Sequence, residues 1–138
     1  MLALAGCQSP APHDNAPPQT QAPAPAAREA SAVAAAYRDH LDHVWIEDTG
    51  TVERLLREDT KPPRHQRFVV RLAGGGTILI AHNIDLAPRV PCKRGDTVSF
   101  RGEYIWTEQG GTVHWTHRDP EGGKNSGGWI RWRDSIYR

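Results

Sequence analysis

From Val44 onward the chain alternates apolar and polar residues with a period of two, in short runs punctuated by Gly and Asp. That period sends successive side chains to opposite faces of a strand. Each run can therefore cover a core with one face only, and its edges need partners. Five strand candidates follow one another. The first is Val44 to Leu56, broken by Asp48-Thr49-Gly50, a turn signal. The second is His65 to Ala73, with Phe68, Val70 and Leu72 on one face and Arg67, Val69 and Arg71 on the other. Gly74-Gly75-Gly76 turns it as a hairpin into the third, Thr77 to Asn83, with Ile78 and Ile80 inward. Arg94-Gly95-Asp96 introduces the fourth, Thr97 to Trp106, whose Val98, Phe100, Tyr104 and Trp106 share a face. Gly102 on that same face marks a bulge or sharp bend. The fifth is Thr112 to His117, entered through Gly110-Gly111, and a short segment from Trp129 to Trp132 follows a Gly-rich loop.

Five short strands with a longer third-to-fourth connection suit a mainly β fold: a small five-stranded Greek-key barrel, OB-fold-like. An SH3-like barrel or a small open sandwich is the alternative. Ahead of the strands, Ala30 to His43 reads as a short amphipathic helix, because Val33, Ala36, Tyr37 and Leu41 recur near helical spacing. It either caps the open end of the barrel or is a solvated lead-in.

The N-terminal segment has a different composition. Gln8 to Ala27 is rich in Pro, Ala and Gln and has almost no large apolar residue. Such a segment cannot bury enough surface to offset its ordering entropy and reads as a disordered, extended spacer. Just before it, Leu4-Ala5-Gly6-Cys7 resembles a bacterial lipobox, in which the cysteine is acylated after cleavage. The signal ahead of it is a stub, Met1 to Gly6 without Lys or Arg, so either the start lies upstream or the match is accidental. The organisation expected is a truncated signal and lipobox at 1–7, a linker at 8–29 and one barrel domain at 30–138, with its core at about 44–132. Lipidation at Cys7 would give a membrane-anchored envelope protein facing the periplasm, and Gln8 rather than Asp points to the outer membrane. No run approaches the roughly 18 apolar residues of a membrane-spanning helix. With Cys7 acylated, Cys92 has no intramolecular partner and reads as a small, free, partly buried residue; a Cys7–Cys92 disulfide is the alternative.

The net charge of +1 lacks the basic excess of a dedicated nucleic-acid binder. The cations are mainly Arg, which suits local, bidentate anion recognition. Polar residues cluster at Arg64-His65-Gln66-Arg67, at His82-Asn83-Ile84-Asp85 with Arg89, at His114 to Asp119, and at Trp129 to Arg133. The stretch RHQRFVVRLAGGGTILIAHNIDLAPRV, then GDTVSFRGEYIW, HWTHRDP and GGWI, resembles a bacterial family known as domain of unknown function 3465. The resemblance covers about Gly50 to Trp132 and implies one domain, without an activity.

From these clusters the candidate ligand-binding residues are His65, Arg67, His82, Asn83, Asp85, Arg89, His114, His117 and Asp119. His82, His117 and Asp119 form a candidate set for a divalent metal, since imidazole with carboxylate suits zinc. His114 and His117 are three apart, so on an unbroken strand they face opposite ways. Each histidine also has a plainer reading as a hydrogen-bonded residue beside a turn, and Asp119-Pro120 as a turn initiator. Trp106 and Trp115 read as core, while Trp129 and Trp132 are less easily explained that way. No nucleophile elbow, HExxH or CxxC occurs. The first reading is a monomeric module binding an anionic or sugar-containing ligand, such as an envelope glycan or nucleic acid, across the second and third strands. The others are a structural or interaction protein of the envelope and a metal-dependent phosphoester hydrolase.

Overall fold

The structure, a computed structural model, describes residues 30–123 and 127–138. It contains one helix, α1 (Ala32–Arg38), and seven strands: β1 (Val44–Leu55), β2 (His65–Leu72), β3 (Thr77–Asn83), β4 (Thr97–Ile105), β5 (Thr112–His114), β6 (Trp129–Trp132) and β7 (Ser135–Tyr137). The strands lie in the order β1-β2-β3-β5-β4-β6-β7, and β1 also pairs with β4. That extra pairing closes β1-β2-β3-β5-β4 into a five-stranded barrel of OB-like topology, with β3 and β5 parallel. β6 and β7 continue outward from β4 as a hairpin that sequence reading had as one short segment. Among the described residues no helix is long and apolar enough to cross a membrane. The expected lipobox, the linker to residue 29 and Lys124-Asn125-Ser126 lie outside the described residues.

The alternation sets the core as expected. Phe68, Val70, Ile78, Ile80, Val98, Phe100, Tyr104 and Val113 are at most 1% exposed and fill the barrel. Burying a side chain of this size contributes about 1.5–3 kcal/mol. Cys92 joins them as a free thiol, and its burial raises the thiol pKa.

β1 corrects the expected turn at Asp48-Thr49-Gly50. The strand runs unbroken, pairing with β4 over Val44–Thr51 and with β2 over Gly50–Leu55. Gly50 sits where both neighbours close in; a Cβ there would lie 2.5 Å from the Arg71 carbonyl oxygen and from Val70 Cγ1. Asp48 instead serves the helix. Its Oδ2 accepts from the Ser31 hydroxyl (2.6 Å) and the Val33 N–H (3.0 Å), while Ser31 Oγ accepts from the Ala34 N–H. This N-cap satisfies donors the first turn leaves open. The helix is shorter than expected, and Val33 and Ala36 plug the barrel end. Leu41 falls beyond it and is exposed.

β5 also ends early. Trp115 has φ +55, the left-handed region that L-residues seldom occupy, so the strand stops at His114 instead of His117. Trp115 consequently turns out to solvent, 47% exposed, rather than into the core. On the same edge of β4, β5 pairs with Glu103–Ile105 and β6 with Val98–Arg101. Gly102 is the junction: a Cβ there would run into the His114 carbonyl oxygen and lie 2.6 Å from Val113 Cγ1.

Gly102→Ala must therefore pry β4 from β5, and a loss of about 1–3 kcal/mol or more is expected in chemical denaturation. Gly74→Ala, whose added Cβ meets nothing within 4 Å, is expected to stay within about 0.5 kcal/mol of the parent. Equal losses at the two positions would contradict the junction.

Candidate functional site

Barrel closure divides the nine candidate residues between inside and outside. His82, on the inward side of β3 with Ile78 and Ile80, is 0% exposed. Its Nε2 lies 3.0 Å from the Pro88 carbonyl oxygen and its Nδ1 2.8 Å from Thr116 Oγ1. A carbonyl only accepts, so Nε2 carries the proton and Nδ1 accepts from the Thr116 hydroxyl. Gln66, also inward, clasps the Val90 backbone through Nε2→O (2.7 Å) and N→Oε1 (2.9 Å). These bonds pin the β3–β4 connection, Ile84 to Asp96, against the barrel. Burial is the main cause that lowers the His82 pKa, with the nearby His117 and His65 adding to it against the two hydrogen bonds.

His117 is 4% exposed, and its Nδ1 donates to the Arg118 carbonyl oxygen at 2.7 Å. Its own carbonyl accepts from the Gly128 N–H at 2.7 Å, closing the loop that leads to β6. Asp119 is consumed by that loop: Oδ1 accepts from Glu121 N–H (2.9 Å) and Oδ2 from Gly123 N–H (2.8 Å). His82, His117 and Asp119 thus do not come together as a ligand set. Both nitrogens of His82 and both oxygens of Asp119 have protein partners, and no cluster of three or more His, Cys, Asp or Glu fit to hold a metal occurs among the described residues.

Three further candidates order loops. Asn83 Oδ1 accepts from the Asp85 N–H at 3.0 Å. Asp85 accepts from the Arg64 backbone (2.8 Å) and Nε (2.7 Å); these bonds hold its carboxyl below the usual range, the backbone N–H contributing most. Arg89 pairs with Glu58. His82, Asn83, Asp85, Pro88 and Arg89 of the AHNIDLAPR motif thus help to fasten one long connection.

The remaining candidates share an outward face. His65 and Arg67 point away from the core on β2, opposite Asn83 and Ala81 of β3. β3 pairs with β5 at Ile80–Val113, and continuing that register puts His114, also outward, beside Ala81. Asp59, in the β1–β2 loop, orients two of them: it accepts from His65 Nδ1 at 3.0 Å and lies 3.6 Å from Arg67 Nη2. His65 Nδ1 therefore carries a proton, and its Nε2 has no partner among the described residues. His114 is half-buried and makes no side-chain hydrogen bond there. Burial first, then the charge of His65, lowers its pKa.

Sequence reading missed a second outward group, on the far side of the barrel. Arg101 lies over the Trp45 ring, its Cζ 5.5 Å from the centroid, and Arg131 lies over Trp129 at 5.3 Å. Trp129 and Arg131 fell in a cluster already noted; Trp45 and Arg101 did not. The usable signal was parity, since Trp45 and Arg101 alternate with the inward Ile46 and Phe100. Trp132, in contrast, packs against the core and donates from Nε1 to Asp96 at 2.8 Å.

A buried neutral His82 links stability to pH. An unfolded histidine has a pKa of about 6.5, and the folded value of His82 is lower. Above the ordinary value both states are neutral and nothing is lost. As pH falls from there to the folded value, the unfolded chain takes up the proton alone, so stability declines and then levels. The stability of the parent in chemical denaturation should fall from pH 7 to pH 5 more steeply than that of His82→Gln. His114 adds a slope of the same sign, which His114→Gln removes. Parallel curves for parent and His82→Gln would contradict the buried neutral assignment.

The family described as "Protein of unknown function (DUF3465)" matches residues 18–138 of the chain. No curated protein and no solved structure gave a match. The chain belongs to the DUF3465 family.

Proposed function

We propose that this family member is an envelope lipoprotein, held by acylated Cys7, whose barrel takes an anionic or sugar-containing ligand on the outward face of β2, β3 and β5. The observation that carries the reading is the belt of His65, Arg67, Asn83 and His114 around Ala81. It brings four of the nine candidates to one side of the barrel. Asp59 holds two of them in place, so little ordering cost remains for a ligand. Imidazole and guanidinium groups side by side on one face suit a phosphate or carboxylate group. OB-like barrels commonly bind oligonucleotides and oligosaccharides across strands 2 and 3; that is analogy of fold and does not choose a ligand.

The second reading is that the polar clusters serve only to order the molecule. Arg64–Asp85, Arg89–Glu58 and Arg71–Glu53 favour it, because each neutralises an arginine on this side of the barrel.

Titration with phosphorylated and uronic-acid sugars, read by NMR of the imidazole rings, separates the two. Saturable shifts of His65 and His114, lost in His65→Ala and in His114→Ala with melting little changed, are expected. A flat response across the panel, or variants that lose only stability, would favour the structural reading. The tether has its own test. Incorporation of a labelled fatty acid in cells, abolished by Cys7→Ser, is expected; labelling that survives the substitution contradicts it.

A further inference from the structure

The outer surface of β1, β4 and β6 carries a pattern that neither the core nor the belt explains. The registers set Glu47 beside Arg101 and Arg101 beside Trp129, and in the next row Ser99 beside Arg131. Trp45 stands one step back on β1, diagonal to Arg101. All six face away from the core, as their neighbours Ile46, Phe100, Val98 and Ile130 are buried. Each tryptophan is half-covered and has an arginine over its ring.

The arginines differ from those across the barrel. Arg64, Arg67, Arg71 and Arg89 each have a carboxylate within ion-pair distance. Among the described residues Arg101 and Arg131 have none, so their guanidinium donors remain open for a ligand. The surface lies on open strands rather than in a cleft, which suits a chain laid across it more than a small molecule enclosed by it. Trp45 and Trp129 lie on strands two spacings apart, about 10 Å at about 4.8 Å per spacing, so a ligand touching both must be longer than one sugar ring.

From these features we infer that the β1–β4–β6 face is a docking surface for an acidic polysaccharide. The apolar face of a pyranose ring stacks on Trp45 or Trp129. Arg101 and Arg131 take carboxylates of the chain in paired hydrogen bonds, and Glu47 and Ser99 accept from or donate to ring hydroxyls. A nucleic acid fits less well, because the Glu47 carboxylate beside Arg101 only accepts hydrogen bonds, and a sugar chain presents hydroxyl donors on every ring where a phosphodiester backbone presents few. This surface is separate from the His65–His114 belt, and either site can exist without the other.

Affinity electrophoresis of the full chain through gels holding polygalacturonate, neutral dextran or polyuridylate tests the inference. Retardation by polygalacturonate and little by dextran is expected. Arg101→Gln with Arg131→Gln should weaken the polygalacturonate constant at least tenfold while lowering the melting temperature by no more than the few degrees that loss of two exposed cation–π pairs brings. Trp129→Ala should weaken it comparably, and the arginine pair decides the matter if that variant folds poorly. Retardation lost in His65→Ala or His114→Ala but kept in the arginine pair would belong to the belt and overturn the inference for this face, which keeps the two results apart. No retardation by polygalacturonate would overturn the inference. So would retardation by polyuridylate of equal strength, or retardation indifferent to Arg101 and Arg131.

Discussion

Closure through β1 is the constraint on which the rest of the molecule depends. One strand pairs with β4 along its first half and β2 along its second, and so leaves the barrel without an open edge between them. Once closed, the barrel assigns every residue of a period-two strand to inside or outside, and a one-residue slip would reverse that assignment for a whole strand. The crowding at Gly50 and Gly102 is a direct result: at both points neighbouring backbones come closer than a side chain permits.

The same closure buries His82 completely, where an unpaired polar ring would be costly. The chain meets this by giving both nitrogens partners from segments far apart in sequence, Pro88 and Thr116. Thr116 is available because Trp115 ends β5 in a left-handed conformation, and Gly128 then fastens the loop to the carbonyl of His117. The polar motifs between the strands are in this sense the seams of the barrel. The side chains left for a ligand are those that parity turns outward.

Much of this was legible in the residues. β2, β3 and β4 emerged within a residue or so of their bounds, since each carries its own alternation and a glycine-marked turn. Asp48-Thr49-Gly50 misled because the same residues serve a helix cap and a close strand crossing, both tertiary facts. The end of β5 was illegible, because a tryptophan at positive φ has no local signal. For the site, His65 and His114 could be placed outward by parity, but the inward turn of His117 after Trp115 could not. The Trp45–Arg101 pair was missed because its members are 56 positions apart and meet only through the β1–β4 register.

The account turns on His82 being an interior, fully bonded, neutral ring that holds the seams while His65 and His114 face out. Nitrogen-15 NMR of the imidazole rings in the full chain at neutral pH tests this most directly. A single His82 tautomer protonated at Nε2, with Nδ1 coupled to a slowly exchanging Thr116 hydroxyl, is the predicted result. A His82 ring that averages between tautomers, or carries its proton on Nδ1, would contradict it.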